Sequence, residues 1–122
     1  MRTTARDRQA LGRWGERLAE RYLTQHGFKV LMRNWRCALG EIDLVLREQD
    51  TLVVCEVKTR RTVEYGHPLA GVDAAKAERL GALGQVWVET HGLTRVPIRT
   101  DVVGVLLPFG EPVQIEHVRG IY

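Results

Sequence analysis

The residues of this chain best suited to handling water and phosphate lie on two neighbouring stretches, Glu41–Arg47 and Leu52–Lys58. Both alternate as strands do, and the polar link Glu48-Gln49-Asp50-Thr51 has hairpin length. If those four residues form the loop, Arg47 pairs with Leu52. Asp43 then falls opposite Glu56, Glu41 opposite Lys58, and Val45 opposite Val54. Cross-strand partners share a face, with Cβ atoms roughly 5 Å apart, and like charges so placed repel. A hard divalent cation with oxygen ligands relieves that repulsion. Mg²⁺, which keeps several waters and takes one or two carboxylates, suits this sparse set better than Ca²⁺. A lysine beside such an ion can orient or deprotonate a water while the ion polarises a phosphoryl oxygen. The same pattern also describes a solvated sheet face with an ordinary Glu41–Lys58 ion pair, and a loop one residue different would break the pairing.

The opposite face of this hairpin, Ile42, Leu44, Leu46, Val53, Cys55 and Val57, reads as core. Around it, the periodicity predicts a helix over Asp7–Gln25, with Leu11, Trp14, Leu18 and Tyr22 recurring and Gly27 as a stop. A second stripe, Gly12, Gly15, Glu16 and Ala19, carries small residues and one acid. Glycine inside a helix costs about 1 kcal/mol against alanine, so two of them point to close backbone approach, which would press Glu16 against whatever the helix covers. A first strand is expected over Phe28–Trp35, and a turn-rich loop over Thr59–Gly71. A second helix follows from an Asp73 cap, with Lys76, Leu80, Leu83 and Trp87 on one stripe, then strands over Ile98–Leu107 and Val113–His117. The order is αβββαβ with one further strand: an α/β domain with a mixed sheet flanked by helices.

At 122 residues, 44% hydrophobic and 27% charged, the chain is expected to form one domain spanning 1–122. No apolar run approaches the roughly 18 residues of a membrane span, and no apolar stretch follows the basic start as a secretory signal requires. Cys37 and Cys55 read as reduced thiols of a cytoplasmic protein. The net charge of +3 is compatible with nucleic acid without naming it. His26, His67, His91 and His117 have no zinc spacing.

The stretch Gly40-Glu41-Ile42-Asp43, followed by Glu56-Val57-Lys58, resembles the Asp…(Asp/Glu)-x-Lys signature of restriction-endonuclease-like nucleases, with Ile42 in place of the proline of that signature. More closely, the chain resembles the bacterial YraN-like family, which is similar to archaeal Holliday-junction resolvases. The matching residues run in order through Gly12-x-x-Gly15-Glu16-x-x-Ala19, Tyr22-Leu23, Gly27 and Asn34. They continue with Gly40-Glu41-Ile42-Asp43, Glu56-Val57-Lys58-Thr59-Arg60, Gly66, Val72-x-x-x-Lys76 and Arg99-x-Asp101. The resemblance implies a restriction-endonuclease-like αβββαβ core and a DNA endonuclease using Mg²⁺ or Mn²⁺, with branched or structured DNA as substrate class. It implies that Asp43, Glu56 and the Val57 carbonyl hold the metal, that Glu16 reaches it directly or through water, and that Lys58 serves the water nucleophile. The alternative is a nucleic-acid-binding module with this fold and little or no cleavage. A single copy and a homodimer both stay open.

Several cations are placed to meet phosphate. Lys76 points from a helix's N-terminal turn toward the sheet, where it either meets an anion or snorkels over the core rim. Arg60 and Arg61 follow Lys58 closely and are candidates for backbone-phosphate contacts. The row Arg13, Arg17, Arg21 reads more as a solvated face. Tyr65-Gly66-His67-Pro68 either stacks on a base or makes a turn, and Asp101 either pairs locally or joins the site.

Overall fold

Thr4 starts the first helix, α1 (Ala5–Gln25), two residues ahead of the sequence expectation, because Asp7 closes a capping box instead of beginning the helix. The Thr4 hydroxyl accepts from the Asp7 N–H, and the Asp7 carboxylate accepts from the Thr4 N–H, each at 3.1 Å. The structure, a computed structural model, describes residues 4–62 and 68–121. Tyr65, Gly66 and His67 lie outside the described residues.

The strands are β1 (Lys29–Cys37), β2 (Gly40–Glu48), β3 (Thr51–Arg60), β4 (Ile98–Leu106) and β5 (Gln114–Val118), in spatial order β1-β2-β3-β4-β5. The β3–β4 pair is parallel and the other pairs antiparallel, so the sheet is mixed as expected. A short 3-10 turn (Pro68–Gly71) and the second helix, α2 (Ala74–Thr90), make the crossover that a parallel pair requires. This is the αβββαβ core with β5 added at the edge. No helix among the described residues is long and apolar enough to cross a membrane.

Both faces of the sheet are covered. On one, α1 packs Ala19 and Leu23 onto Leu44, Leu46, Val53, Cys55, Val103 and Val105. On the other, α2 packs Leu80, Leu83, Trp87 and Val88 onto Ile42, Val45, Leu52 and Val54. The expectation of one apolar and one charged hairpin face is corrected here. Val45 and Val54, expected on the charged face, are fully buried, and the acids are confined to one end of the strands.

The helix stripes are also corrected. Leu11, Leu18 and Tyr22 of the expected stripe pack at the edge of the core, but Trp14 is 45% exposed, and Gly15, Ala19 and Leu23 form the buried line. A Cβ on Gly15 would lie 1.8 Å from Thr59 Oγ1, so the small residues bring α1 down onto β3. Gly12 makes no such approach: a Cβ there would meet nothing within 4 Å.

Candidate active site

The hairpin register expected from the sequence holds from Glu48↔Thr51 through Arg47↔Leu52 to Leu44↔Cys55, with Gln49 in the left-handed region (φ 54°) at the turn. There the ladder ends. β2 stays paired with β1 as far as Cys37↔Gly40 but parts from β3 beyond Leu44. Asp43 and Glu56 are therefore not ladder partners, which corrects the expected cross-strand pair. The cause is a slip in side-chain alternation. Ile42 packs with Val45 under α2, while Leu44 and Leu46 pack under α1. Strict alternation would have put Ile42 with Leu44.

At this fork the Asp43 side chain takes the place of a backbone acceptor, and its Oδ2 accepts the Val57 N–H at 2.8 Å. In a strand, a residue's N–H and C=O point to the same side, so the Val57 carbonyl is directed toward β2 as well. Burial pushes the Asp43 carboxyl up to about 7, against the pull of the Val57 hydrogen bond. The charges of Glu56, Glu16 and Glu41 contribute to the same rise. Carboxylates from α1, β2 and β3 thus converge on one aspartate.

The remaining side chains arrive from either face. Lys76 in the first turn of α2 donates to Glu56 Oε1 at 3.1 Å, so it does point at the sheet. Lys58 extends toward the 3-10 turn. A Cβ on Gly71 would lie 2.4 Å from its Nζ, so the bare glycine leaves the ammonium its place. Burial lowers the Lys58 pKa and the nearby Lys76 ammonium lowers it further, with Glu56 opposing. Glu41 does not pair with Lys58; it meets Arg36 across the β1–β2 ladder at 3.3 Å. Arg60 donates to the Thr59 carbonyl, while Arg61 donates to the Leu107 carbonyl and lies 4.3 Å from the centroid of the Phe109 ring.

Sequence reasoning assigned no role to Asn34 in β1. Its amide donates to Glu16 Oε1 at 3.1 Å and, at a longer 3.4 Å, to Glu41 Oε1. Two signals were available: Asn34 is among the residues that carry the family resemblance, and it is an asparagine inside a strand, where asparagine is depleted. Asp101 stands apart from the acids and forms a structural node. It accepts from Arg99 at 2.8 and 3.0 Å and from the Gly120 N–H at 3.0 Å, and its Oδ2 is 2.8 Å from His117 Nε2. Burial alone would raise its pKa, but the bonds from His117, Arg99 and Gly120 outweigh burial and hold it at about 2.

The donors around Asp43 are hard oxygens, and the charges of Glu56, Glu16 and Glu41 add to the burial that raises its pKa, so donor type and charge both suit a divalent cation. As they stand, no three His, Cys, Asp or Glu side chains among the described residues are gathered closely enough to hold one. Glu56 is drawn to Lys76, and Glu16 to Asn34. Loading a cation requires these carboxylates to exchange partners.

A mixed sheet between two helices, forked beside an aspartate and with Glu-x-Lys on the adjoining strand, puts the chain in the restriction-endonuclease-like class. Within it, the chain belongs to Uncharacterised protein family UPF0102, which is Holliday-junction-resolvase-like and whose model matches residues 15–105. A UPF0102 protein of Streptomyces coelicolor is 56% identical over 117 residues, covering 93% of this chain and 89% of that one. One from Acidothermus cellulolyticus is 46% identical and covers 100% of both chains. The structure of Pyrococcus furiosus SfsA in complex with Ca²⁺ covers 95% of this chain and 65% of that chain, at 12% identity and a TM-score of 0.43. That likeness is too distant to inform the site.

Proposed function

We propose that this protein is a metal-dependent DNA endonuclease that hydrolyses phosphodiester bonds with Mg²⁺ or Mn²⁺ held by Asp43, Glu56 and the Val57 carbonyl, with Glu16 reaching the ion directly or through water. The observation that carries the reading is Asp43 itself. It is fixed by the Val57 N–H at the fork of the sheet, burial raises its pKa to about 7, and the charges of Glu56, Glu16 and Glu41 act in the same direction. A buried carboxyl with a raised pKa among other acids is costly to a fold and is characteristic of functional sites. When bound, the ion supplies Lewis-acid polarisation of a phosphoryl oxygen and a more acidic water.

The chain's own residues do the rest. Lys58, its pKa lowered by burial and by Lys76, gives up its proton more readily than an ordinary lysine, which supports a role in orienting or deprotonating the attacking water. The water oxygen bonds to phosphorus as the bond to the leaving sugar oxygen breaks, and that oxygen takes up a proton. Lys76, once parted from Glu56, can meet a phosphate, and Arg60 and Arg61, at the end of β3 and just past it, are further candidates for phosphate contacts. Branched or structured DNA is the substrate class suggested by the likeness to resolvases. Expected surroundings are the cytoplasm, with DNA as partner and a homodimer as one form of assembly.

One observation favours a second reading, a DNA-binding module with little or no cleavage. Lys76 neutralises Glu56 at 3.1 Å and partly compensates the acids without any ion. The test is incubation with labelled duplex, single-stranded and four-way-junction DNA, with Mg²⁺ or Mn²⁺ and with chelator. Metal-dependent cutting that disappears in Asp43→Asn is expected. Binding without cutting selects the module, and cutting that persists in chelator or in Asp43→Asn overturns the metal mechanism.

A further inference from the structure

We infer that Asn34 is a positioning residue of the acidic site, holding the carboxylates of Glu16 and Glu41 beside Asp43 with a single side-chain amide. The inference rests on the metal-binding reading above and adds to it a residue outside the Asp, Glu and Lys set.

Its place in the sheet is the first ground. β1 pairs Arg33↔Leu44 and Trp35↔Ile42, which brackets Asn34 opposite Asp43, the residue at which β2 parts from β3. The second ground is backbone conformation. Asn34 has φ 49°, in the left-handed region, in the middle of a nine-residue strand. Outside glycine, that region is visited mainly by asparagine and aspartate, and it costs energy that the surroundings must supply.

The consequence of that backbone is the third ground. Successive strand residues should face opposite sides. Instead, Arg33 and Asn34 both reach α1, the first to Glu20 and the second to Glu16, while Met32 and Trp35 on either side pack against the α2 core. The left-handed residue turns one extra side chain toward the helix that carries Glu16. Its amide then donates to Glu16 at 3.1 Å and to Glu41 at 3.4 Å. An amide has two N–H donors and no charge, so it can hold two carboxylates without supplying the cation that would displace a metal. Orienting partners of this kind typically change metal affinity by about 10–100-fold.

The variant that separates positioning from backbone shape is Asn34→Gly, because glycine accepts the left-handed conformation at no cost but has no amide side chain. Calorimetric titration of the metal-free proteins with MnCl₂, beside thermal melts in chelator, gives both readouts. The variant is expected to melt no lower than wild type and to bind Mn²⁺ about tenfold more weakly. In a Glu16→Gln background, the same Asn34→Gly change should have a smaller effect on Mn²⁺ affinity, since one of the two carboxylates it holds is gone. If wild type binds Mn²⁺ and Asn34→Gly binds it equally well, the inference is overturned and the metal reading stands. If wild type binds no Mn²⁺, the metal reading falls and takes this inference with it.

Discussion

Replacing Asp43 by asparagine should stabilise the metal-free protein at alkaline pH and do almost nothing for it at acid pH. The sign follows from the direction of the shift. A carboxyl whose folded pKa is raised from 3.8 to about 7 contributes stability that is fully present below about pH 4 and is lost as pH rises through 7. At pH 8 the ionised group costs roughly 4 kcal/mol relative to its protonated form, at about 1.4 kcal/mol per pH unit of displacement. The amide removes that charge and keeps an oxygen for the Val57 N–H. A neutral acceptor is weaker than a charged one by roughly 1 kcal/mol, so the net gain at pH 8 is on the order of 1–3 kcal/mol. Urea unfolding of both proteins in chelator at pH 4.5 and pH 8 measures it. Added Mn²⁺ should then reverse the ranking at pH 8, since an ion binding only the folded wild type at a hundred times its Kd stabilises it by about 2.7 kcal/mol. A variant less stable than wild type at pH 8 in chelator, or a gap that ignores pH, would refute the reasoning.

Other expectations follow from single contacts. Gly15→Ala drives a Cβ to 1.8 Å from Thr59 Oγ1 and 2.7 Å from Thr59 Cβ, so it should cost about 1–3 kcal/mol in thermal melts, and Thr59→Ala in the same chain, which keeps the Cβ, should restore only part of that. Gly71→Ala places a Cβ 2.4 Å from Lys58 Nζ, the free end of a flexible chain. The melting temperature should hardly move while any cleavage rate falls by about tenfold or more, as displaced catalytic groups do; an unchanged rate would remove Lys58 from the chemistry. Asp101→Ala leaves Arg99 and His117 facing a buried gap and should cost about 3–5 kcal/mol in urea unfolding. With its pKa held at about 2, Asp101 contributes stability above pH 4 that drains away as pH falls toward 2, so the variant's deficit should shrink in acid.

The hairpin that carries the candidate site was legible from strand periodicity and loop length. The pairing of Arg47 with Leu52 followed from the polar link between two alternating stretches, and the observed ladder keeps that register to Leu44↔Cys55. What periodicity could not contain was its own failure. The slip at Asp43 and the left-handed Asn34 opposite it interrupt the period-two rule where the acids gather. Periodicity also misplaced one residue of α1: Trp14 stays 45% exposed, because the line Gly15, Ala19, Leu23 makes the closest contact with the sheet. Asp101 was ambiguous because its partners His117 and Gly120 lie sixteen and nineteen residues away, beyond the reach of local pattern.

The parallel junction of β3 with β4 also bears on the order in which the chain assembles. Leu52 meets Ile98 across forty-six residues, whereas β1, β2 and β3 are joined by tight turns. Local hairpins close in microseconds, and distant parallel pairing must first offset a larger loop entropy. Asp43 and Val57, both within the local meander, can therefore meet before α2 brings Lys76 down on Glu56. The acids would be gathered while their lysine partner is still absent, so the early meander carries an unrelieved charge. Mutational rate analysis should find Leu46 and Val53 more structured in the folding transition state than Val103, and the reverse order would refute this sequence of events. If the proposed site takes a divalent cation, an ion available during synthesis would on this route act on folding as well as on the folded site.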